Sequence, residues 1–406
     1  MRADERRKTR RRGLKRCVLS DTPSNFPKLN KASIEILKTI WNGIRSYNNG
    51  RVHSNPIDRL SLSDELKSIS MYNYIPAPIR QEFEKTPQKG IEAHVDLQRG
   101  RKVHIYMLEP VDSSSRQESI TTQLNNVVAW FLYISTVAAP HCAKDLSVYI
   151  LATDAEKVLP PNPLEPIDQI HANTAFTTSC SAKNEIFIFR REEWFKVLIH
   201  ETFHCLGLDY SADVKATDYS NQYILSIFPA LDLKTDVRLY ETFCETWAEL
   251  VHLAFRLFTK GTVKGTVKGN AKGTVKGNAI AFSTKQYREA LSKEQVFSIV
   301  QSNKLLRRAG FKLETMFEPP LEATYKENTQ AFSYYVLKSA LLYNVNEFLS
   351  RVGMQFDPSK IADYCLLVKQ SIESEKYRKA VKHAESRGHC GEFIRKTLRM
   401  TSPLLT

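Results

Sequence analysis

The chain has 406 residues, 42% of them apolar, and a formal net charge of +14. That apolar share suffices for a substantial core, and there is no run of about 18 apolar residues to cross a membrane as a helix. The basic charge sits in residues 1–16, 260–276 and 376–400, so the rest of the chain is slightly acidic, which argues against a nucleic-acid groove built into the fold.

Residues 1–25 read as a disordered, Arg-rich arm. Residues 1–16, with nine Lys/Arg against two acids, can attach weakly to nucleic acid or another polyanion. The N-terminus has no apolar h-region, so no secretory signal is visible. The seven cysteines are scattered and form no CxxC pair, which reads as reduced thiols in an intracellular protein that is not secreted.

Residues 26–100 form an N-terminal helical and irregular region. Ile34, Leu37, Ile40, Trp41 and Ile44 recur at helical spacing, and Pro56, Pro76, Pro78 and Pro87 break any long element after them. A catalytic core is expected over residues 101–258. Within it, 103–108, 146–151, 173–178 and 185–189 read as strands and 118–138 as a helix. This order of strands and helix resembles a zincin catalytic half, in which an edge strand takes the substrate backbone as an added strand, and the resemblance makes residues 173–178 the candidate for it.

The next stretch contains His200-Glu201-Thr202-Phe203-His204. Phe195, Leu198, Ile199, Phe203 and Leu206 form a helical apolar stripe, and Gly207 is a natural stop. Glu192 and Glu193 fall where the first turn favours acids. Residues four apart lie one turn apart on one helix face, so His200 and His204 can bind one metal ion. Glu201 is placed to act as general base on a water there.

A catalytic zinc site takes three protein ligands. The position six residues past His204 is Tyr210, which does not serve. After a polar connection over 211–235, with a short helix near 221–228, a second helix carries Glu241, Glu245 and Glu249 on one face. Stacked carboxylates repel one another unless a cation lies nearby, and any of the three can be the ligand.

These segments resemble the gluzincin metallopeptidases, in which a second helix supplies a glutamate ligand followed by an aromatic residue and alanine. Glu245-Thr246-Trp247-Ala248 matches that pattern. The resemblance therefore implies Zn2+ held by His200, His204 and Glu245, with Glu241 or Glu249 supporting a histidine N–H. It spans residues 172–258 and is nearest to uncharacterised zincin-like proteins of large DNA viruses, which would place the chain in host cytoplasm or a virion. The implied fold is α+β and zincin-like: a small mixed sheet with an active-site helix, then a helical C-terminal half. The implied substrate is a peptide or protein.

Residues 259–279 read as a low-complexity insert with glycine every fourth residue through 262–277. Residues 280–385 form a helical subdomain, with helices over 284–303, 328–349 and 359–384, and 386–406 a tail. Tyr334 and Tyr335 are candidates for the hydroxyl that stabilises an oxyanion. The alternative to a peptidase is an inactive zincin scaffold held on polyanions by its basic tails; a nucleic-acid-binding protein with an accidental HExxH is a third reading.

Overall fold

The computed structural model describes residues 26–47, 52–58, 62, 66–111, 120–232, 235–264, 282–320, 324–386 and 392–403. The basic arm and residues 265–281 of the repeat region lie outside the described residues.

The fold is α+β, built on a six-stranded mixed sheet in the order β1-β2-β3-β4-β6-β5. The strands are β1 (Asn55–Asp58), β2 (Gln88–Asp96), β3 (Lys102–Pro110), β4 (Asp145–Leu151), β5 (Ala175–Thr177) and β6 (Lys183–Ile188). β3, β4 and β6 run parallel, while β1, β2 and β5 pair antiparallel with their neighbours. Parallel strands need both faces covered. On one face Val103, Ile105, Leu146, Val148 and Ile186 join the main core. On the other, Leu108, Tyr149, Leu151 and Phe187 pack under residues 62–83.

β1 and β2 fall in the stretch expected to be irregular. The register explains Gly90 in β2: a Cβ there would lie 1.8 Å from the Met107 carbonyl oxygen, so no side chain fits as β2 crosses β3.

Among the described residues twelve α-helices of five or more residues accompany this sheet, and the first six lead to the site. α1 (Lys31–Tyr47) packs on α3 (Ile120–Ile134), the helix between β3 and β4, with α2 (Ala77–Lys85) on the opposite face. α4 (Trp194–Cys205) lies against β5 and β6 on one side. α5 (Val214–Ile227) leads on to α6 (Leu239–Lys264), which packs along the other side of α4. α6 runs six residues into the insert expected over 259–279.

The C-terminal half is helical, as expected, through α7 (Thr284–Arg308) and shorter helices. The expected helix over 328–349 is interrupted: Phe332–Leu337 forms a π-helical turn before α8 (Lys338–Tyr343) and α9 (Val345–Arg351). Single π turns occur often at functional sites. The expected helix over 359–384 is likewise two, α10 (Ile361–Glu373) and α11 (Glu375–Ser386).

The largest departure is the tail. After α12 (Glu392–Lys396), residues 397–402 enter the interior as a strap. The Leu398 amide donates to the Lys157 carbonyl at 2.9 Å, and both oxygens of Glu294 accept from the Ser402 amide at 2.9 Å. Leu398 and Met400 are buried. Residues 386–406 read as a tail in the sequence, but Leu398 and Met400 of this segment face inward.

Candidate metal centre

α4 begins at Trp194, after both of the acids expected in its first turn. Glu193 precedes it in the left-handed region (φ 61°) and makes no cap. Its buried carboxylate instead accepts from Lys157 Nζ at 2.9 Å and from the amides of Met400 and Thr401. Glu192 pairs with Arg399 at 3.1 Å. Both acids thus tie the helix start to the C-terminal strap. At the other end Gly207 (φ 65°) closes the helix as expected.

His200 and His204 face α6 together, their Nε2 atoms 3.0 Å apart. Glu241 Oε2 lies 3.0 Å from His200 Nε2 and 3.4 Å from His204 Nε2. A tetrahedral site with metal–ligand bonds of about 2.05 Å has neighbouring ligands about 3.3 Å apart. The donor set and the spacing therefore fit a divalent metal ion. They do not identify it, though two imidazoles and a carboxylate suit zinc.

Glu241, not Glu245, occupies the third position. Glu245 stands one turn further along α6, where both its oxygens accept from Lys196 Nζ at 2.7 Å. Its Oε1 lies 3.2 Å from His200 Nδ1, off the axis of a straight hydrogen bond. The glutamate expected to bind metal thus stands behind the first histidine, and one expected behind it completes the cluster that could hold an ion. Lys196 is the physical reason. It lies one turn before His200 with no exposed side-chain surface, and a buried ammonium needs a carboxylate partner. Glu249 pairs with Lys338 at 3.7 Å, also buried, and takes no part in the cluster.

His204 is backed differently. Its Nδ1 lies 2.6 Å from Asp209 Oδ2, and Asp209 Oδ1 accepts from Ser211 Oγ at 2.9 Å. A carboxylate on the outer nitrogen fixes the tautomer that turns Nε2 inward. The Cys244 thiol is 3.8 Å from the same Nδ1. Burial holds that thiol well above its ordinary value, so it stays protonated at neutral pH and is a poor metal ligand.

Burial alone would lower both imidazoles, but the nearby carboxylates of Glu241 and Glu245 raise His200, and those of Asp209 and Glu241 raise His204 well above the usual range. Burial would raise Glu241 and Glu245; the histidines hold Glu241 down, and Lys196 and His200 hold Glu245 well down. Glu201 is 7% exposed, and burial raises its carboxyl while the two histidines oppose the rise.

Tyr334 and Tyr335 diverge. The Tyr334 ring lies 6.0 Å from the His200 ring at 72°, on the π-helical turn facing the cluster. Burial pushes its hydroxyl well above the ordinary value, so it remains a donor. Tyr335 points the other way and donates to the Leu398 carbonyl in the strap. It is a structural residue and is removed from the candidate set.

Cys142 and Cys180 are joined in a disulfide, whereas Cys205, Cys244 and Cys365 are free and buried. The expectation of uniformly reduced thiols does not hold for this pair. The two are 38 residues apart in sequence, and no spacing rule pairs them. Residues 175–177 form the sheet edge, and only β6 pairs with them among the described residues. Among the described residues no helix is long and apolar enough to cross a membrane.

No family model, no curated protein and no solved structure matches this chain.

Proposed function

We propose that the chain is a zinc-dependent peptidase of the zincin type. The observation that carries this reading is the meeting of His200 Nε2, His204 Nε2 and Glu241 Oε2 within 3.4 Å, with Glu201 on the same helix. A divalent ion held there would supply Lewis acidity, polarising a carbonyl and acidifying a water. Glu201, with its raised carboxyl, accepts a proton from the attacking water and returns it to the leaving amine. Tyr334 donates its hydroxyl toward the developing oxyanion. β5, open along its outer side among the described residues, takes the substrate backbone as an added strand.

Glu201→Gln keeps size and shape but removes basicity. Peptide hydrolysis should fall by about two to four orders of magnitude while metal content stays near one ion per chain. Hydrolysis that survives the substitution sinks the mechanism.

One observation favours a second reading. His200, Glu201, His204 and Glu241 are each under 10% exposed, as in a closed, non-catalytic metal site. An inactive scaffold, attached to polyanions through residues 1–16, would bind metal and hydrolyse no member of a broad peptide library. Removing residues 1–16 and measuring salt-dependent DNA binding tests the arm separately.

A further inference from the structure

The wall behind His204 continues past Asp209. Ser211 Oγ, which donates to Asp209, also lies 2.9 Å from Ser179 Oγ. Ser179 sits in the turn between β5 and β6, and the next residue is Cys180. The disulfide from Cys180 to Cys142 therefore ends a line that runs Cys142–Cys180, Ser179, Ser211, Asp209, His204.

The disulfide is packed against the active-site helix. A Cβ at Gly207 would lie 2.7 Å from Cys142 Sγ and 3.4 Å from Cys180 Cβ, so the bridge fills the space that glycine leaves. The Ala139 amide donates to the Leu206 carbonyl at 3.2 Å, and the Ala143 amide to the Ser181 carbonyl at 2.6 Å. Arg101 holds the Cys142 side through the carbonyls of Ser135, Ala139 and Cys142. On the Cys180 side the Asn184 side-chain amide donates to the Thr178 carbonyl at 3.0 Å and to that of Ser179 at 3.3 Å, and beyond Cys180 the Ala143 and Asp145 amides donate to the Ser181 and Ala182 carbonyls. Cys142 is buried but Cys180 is partly exposed, so a small reductant can reach the bond from the Cys180 side.

We infer that the Cys142–Cys180 disulfide, with Ser179 and Ser211, positions the metal ligand His204, so that reducing the bridge weakens metal binding. This rests on the metal reading of the His200–His204–Glu241 cluster. With the bridge closed, Ser179 is fixed, Ser211 is held between Ser179 and Asp209, and Asp209 keeps His204 Nε2 turned toward Glu241. Reduction by a dithiol breaks the S–S bond; two electrons and two protons pass from the dithiol to the two sulfurs, giving two thiols, and the dithiol becomes a disulfide. The turn is then held by Asn184 and by the backbone bonds at Ser181 and Ala182, without the covalent tie at Cys180 itself, and the aim of Asp209 loosens. Ser179 and Ser211 act through Asp209 and are positioning residues.

The test measures zinc affinity by chelator competition on the full chain: oxidised wild type, wild type reduced with a phosphine, Cys142→Ser/Cys180→Ser, and Ser179→Ala. A phosphine replaces the dithiol because dithiols bind zinc, and the serine pair removes any thiolate that could capture zinc with His141. Relative to oxidised wild type, the reduced protein and the serine pair should bind zinc about tenfold or more weakly, the usual effect of an outer partner. Ser179→Ala should weaken binding several-fold with the disulfide intact. The visible spectrum of the cobalt(II) protein should shift in the same variants, since it reports ligand geometry and a purely structural bridge would not alter it. Equal zinc affinity and an unchanged cobalt spectrum in folded reduced protein overturn the inference. If the serine pair does not fold, the reduced wild type and Ser179→Ala decide. Oxidised wild type that binds no zinc rejects the metal reading itself.

Discussion

The two histidines of the HExxH turn are supported by walls of different kinds. Behind His200 stands a block of ion pairs: Lys196 with Glu245, Lys157 with Glu193 and Lys338 with Glu249, all buried. The strap closes that block, with Met400 Sδ 3.6 Å from Lys196 Nζ and the Met400 carbonyl accepting from Lys338 at 2.9 Å. Behind His204 stands a single file of hydroxyls and one carboxylate that ends on a disulfide-tethered turn. Both walls place a carboxylate at the outer nitrogen. They should fail differently, because a buried charge left without its partner threatens the fold, whereas a broken hydroxyl link misdirects one ligand.

The sharpest break separates ligand from wall. Glu241→Gln should weaken zinc binding by more than about a thousandfold, since it removes one of three ligands. Glu245→Gln should weaken it by only about 10–100-fold, as for an outer partner. Chelator competition on both variants checks this, and the reverse ranking would return Glu245 to the coordination sphere.

The next break concerns charge. Lys196→Met leaves Glu245 buried with only His200 beside it and should destabilise the protein by about 3–5 kcal/mol. Lys196→Met/Glu245→Met removes both charges and should recover most of that loss in denaturant unfolding, while zinc affinity stays impaired. Recovery of zinc affinity along with stability would show that the pair supports the fold alone.

This contrast also marks how far the sequence could be read. The HExxH helix was legible because its apolar stripe, histidine spacing and glycine stop are all local. The edge strand at 175–177, β3, β4, β6 and the helix between β3 and β4 were legible for the same reason, whereas β1 and β2, in a proline-broken stretch, were not. The choice among Glu241, Glu245 and Glu249 was not, because all three share a face of α6 and the crossing of two helices decides which meets the metal. Lys196 was the overlooked signal: a lysine in the buried turn before His200 requires an acid, and one of the three glutamates had to be spent on it. The strap was hidden by its charge, and the disulfide by its separation of 38 residues.

Acidity tests both walls together. His200 and His204 each hold a proton more tightly than a free imidazole, and a metal must displace those protons. Zinc affinity should therefore fall as pH drops, by up to about a hundredfold for each pH unit if both imidazoles release a proton on binding. Competition titrations at pH 8, 7 and 6 give the slope. Asp209→Asn should flatten it, because the carboxylate that raises His204 is gone. A pH-independent affinity would mean that neither histidine is protonated in the free site.

The smallest expected effect belongs to the block behind His200 alone. Glu249 is fully buried, its oxygens lack a hydrogen-bond partner among the described residues, and Lys338 lies 3.7 Å away. Burial pushes its carboxyl up to about 7, against the pull of Lys338 and Lys196. An acid with a raised folded-state value keeps its proton longer in the folded chain than in the unfolded one. Stability is therefore greatest below the unfolded value and declines as pH rises through the interval up to about 7, then levels off. The decline attributable to this one group should be on the order of 2–3 kcal/mol. Glu249→Gln imitates the protonated acid and should lose that decline. It should match wild type near pH 5 and exceed it at pH 8 in denaturant melts, with zinc affinity nearly unchanged, because Glu249 touches neither histidine. If Glu249→Gln is instead less stable than wild type at pH 8, the charged Glu249–Lys338 pair is net stabilising, and the block behind His200 is held by its charges more firmly than the burial of Glu249 implies.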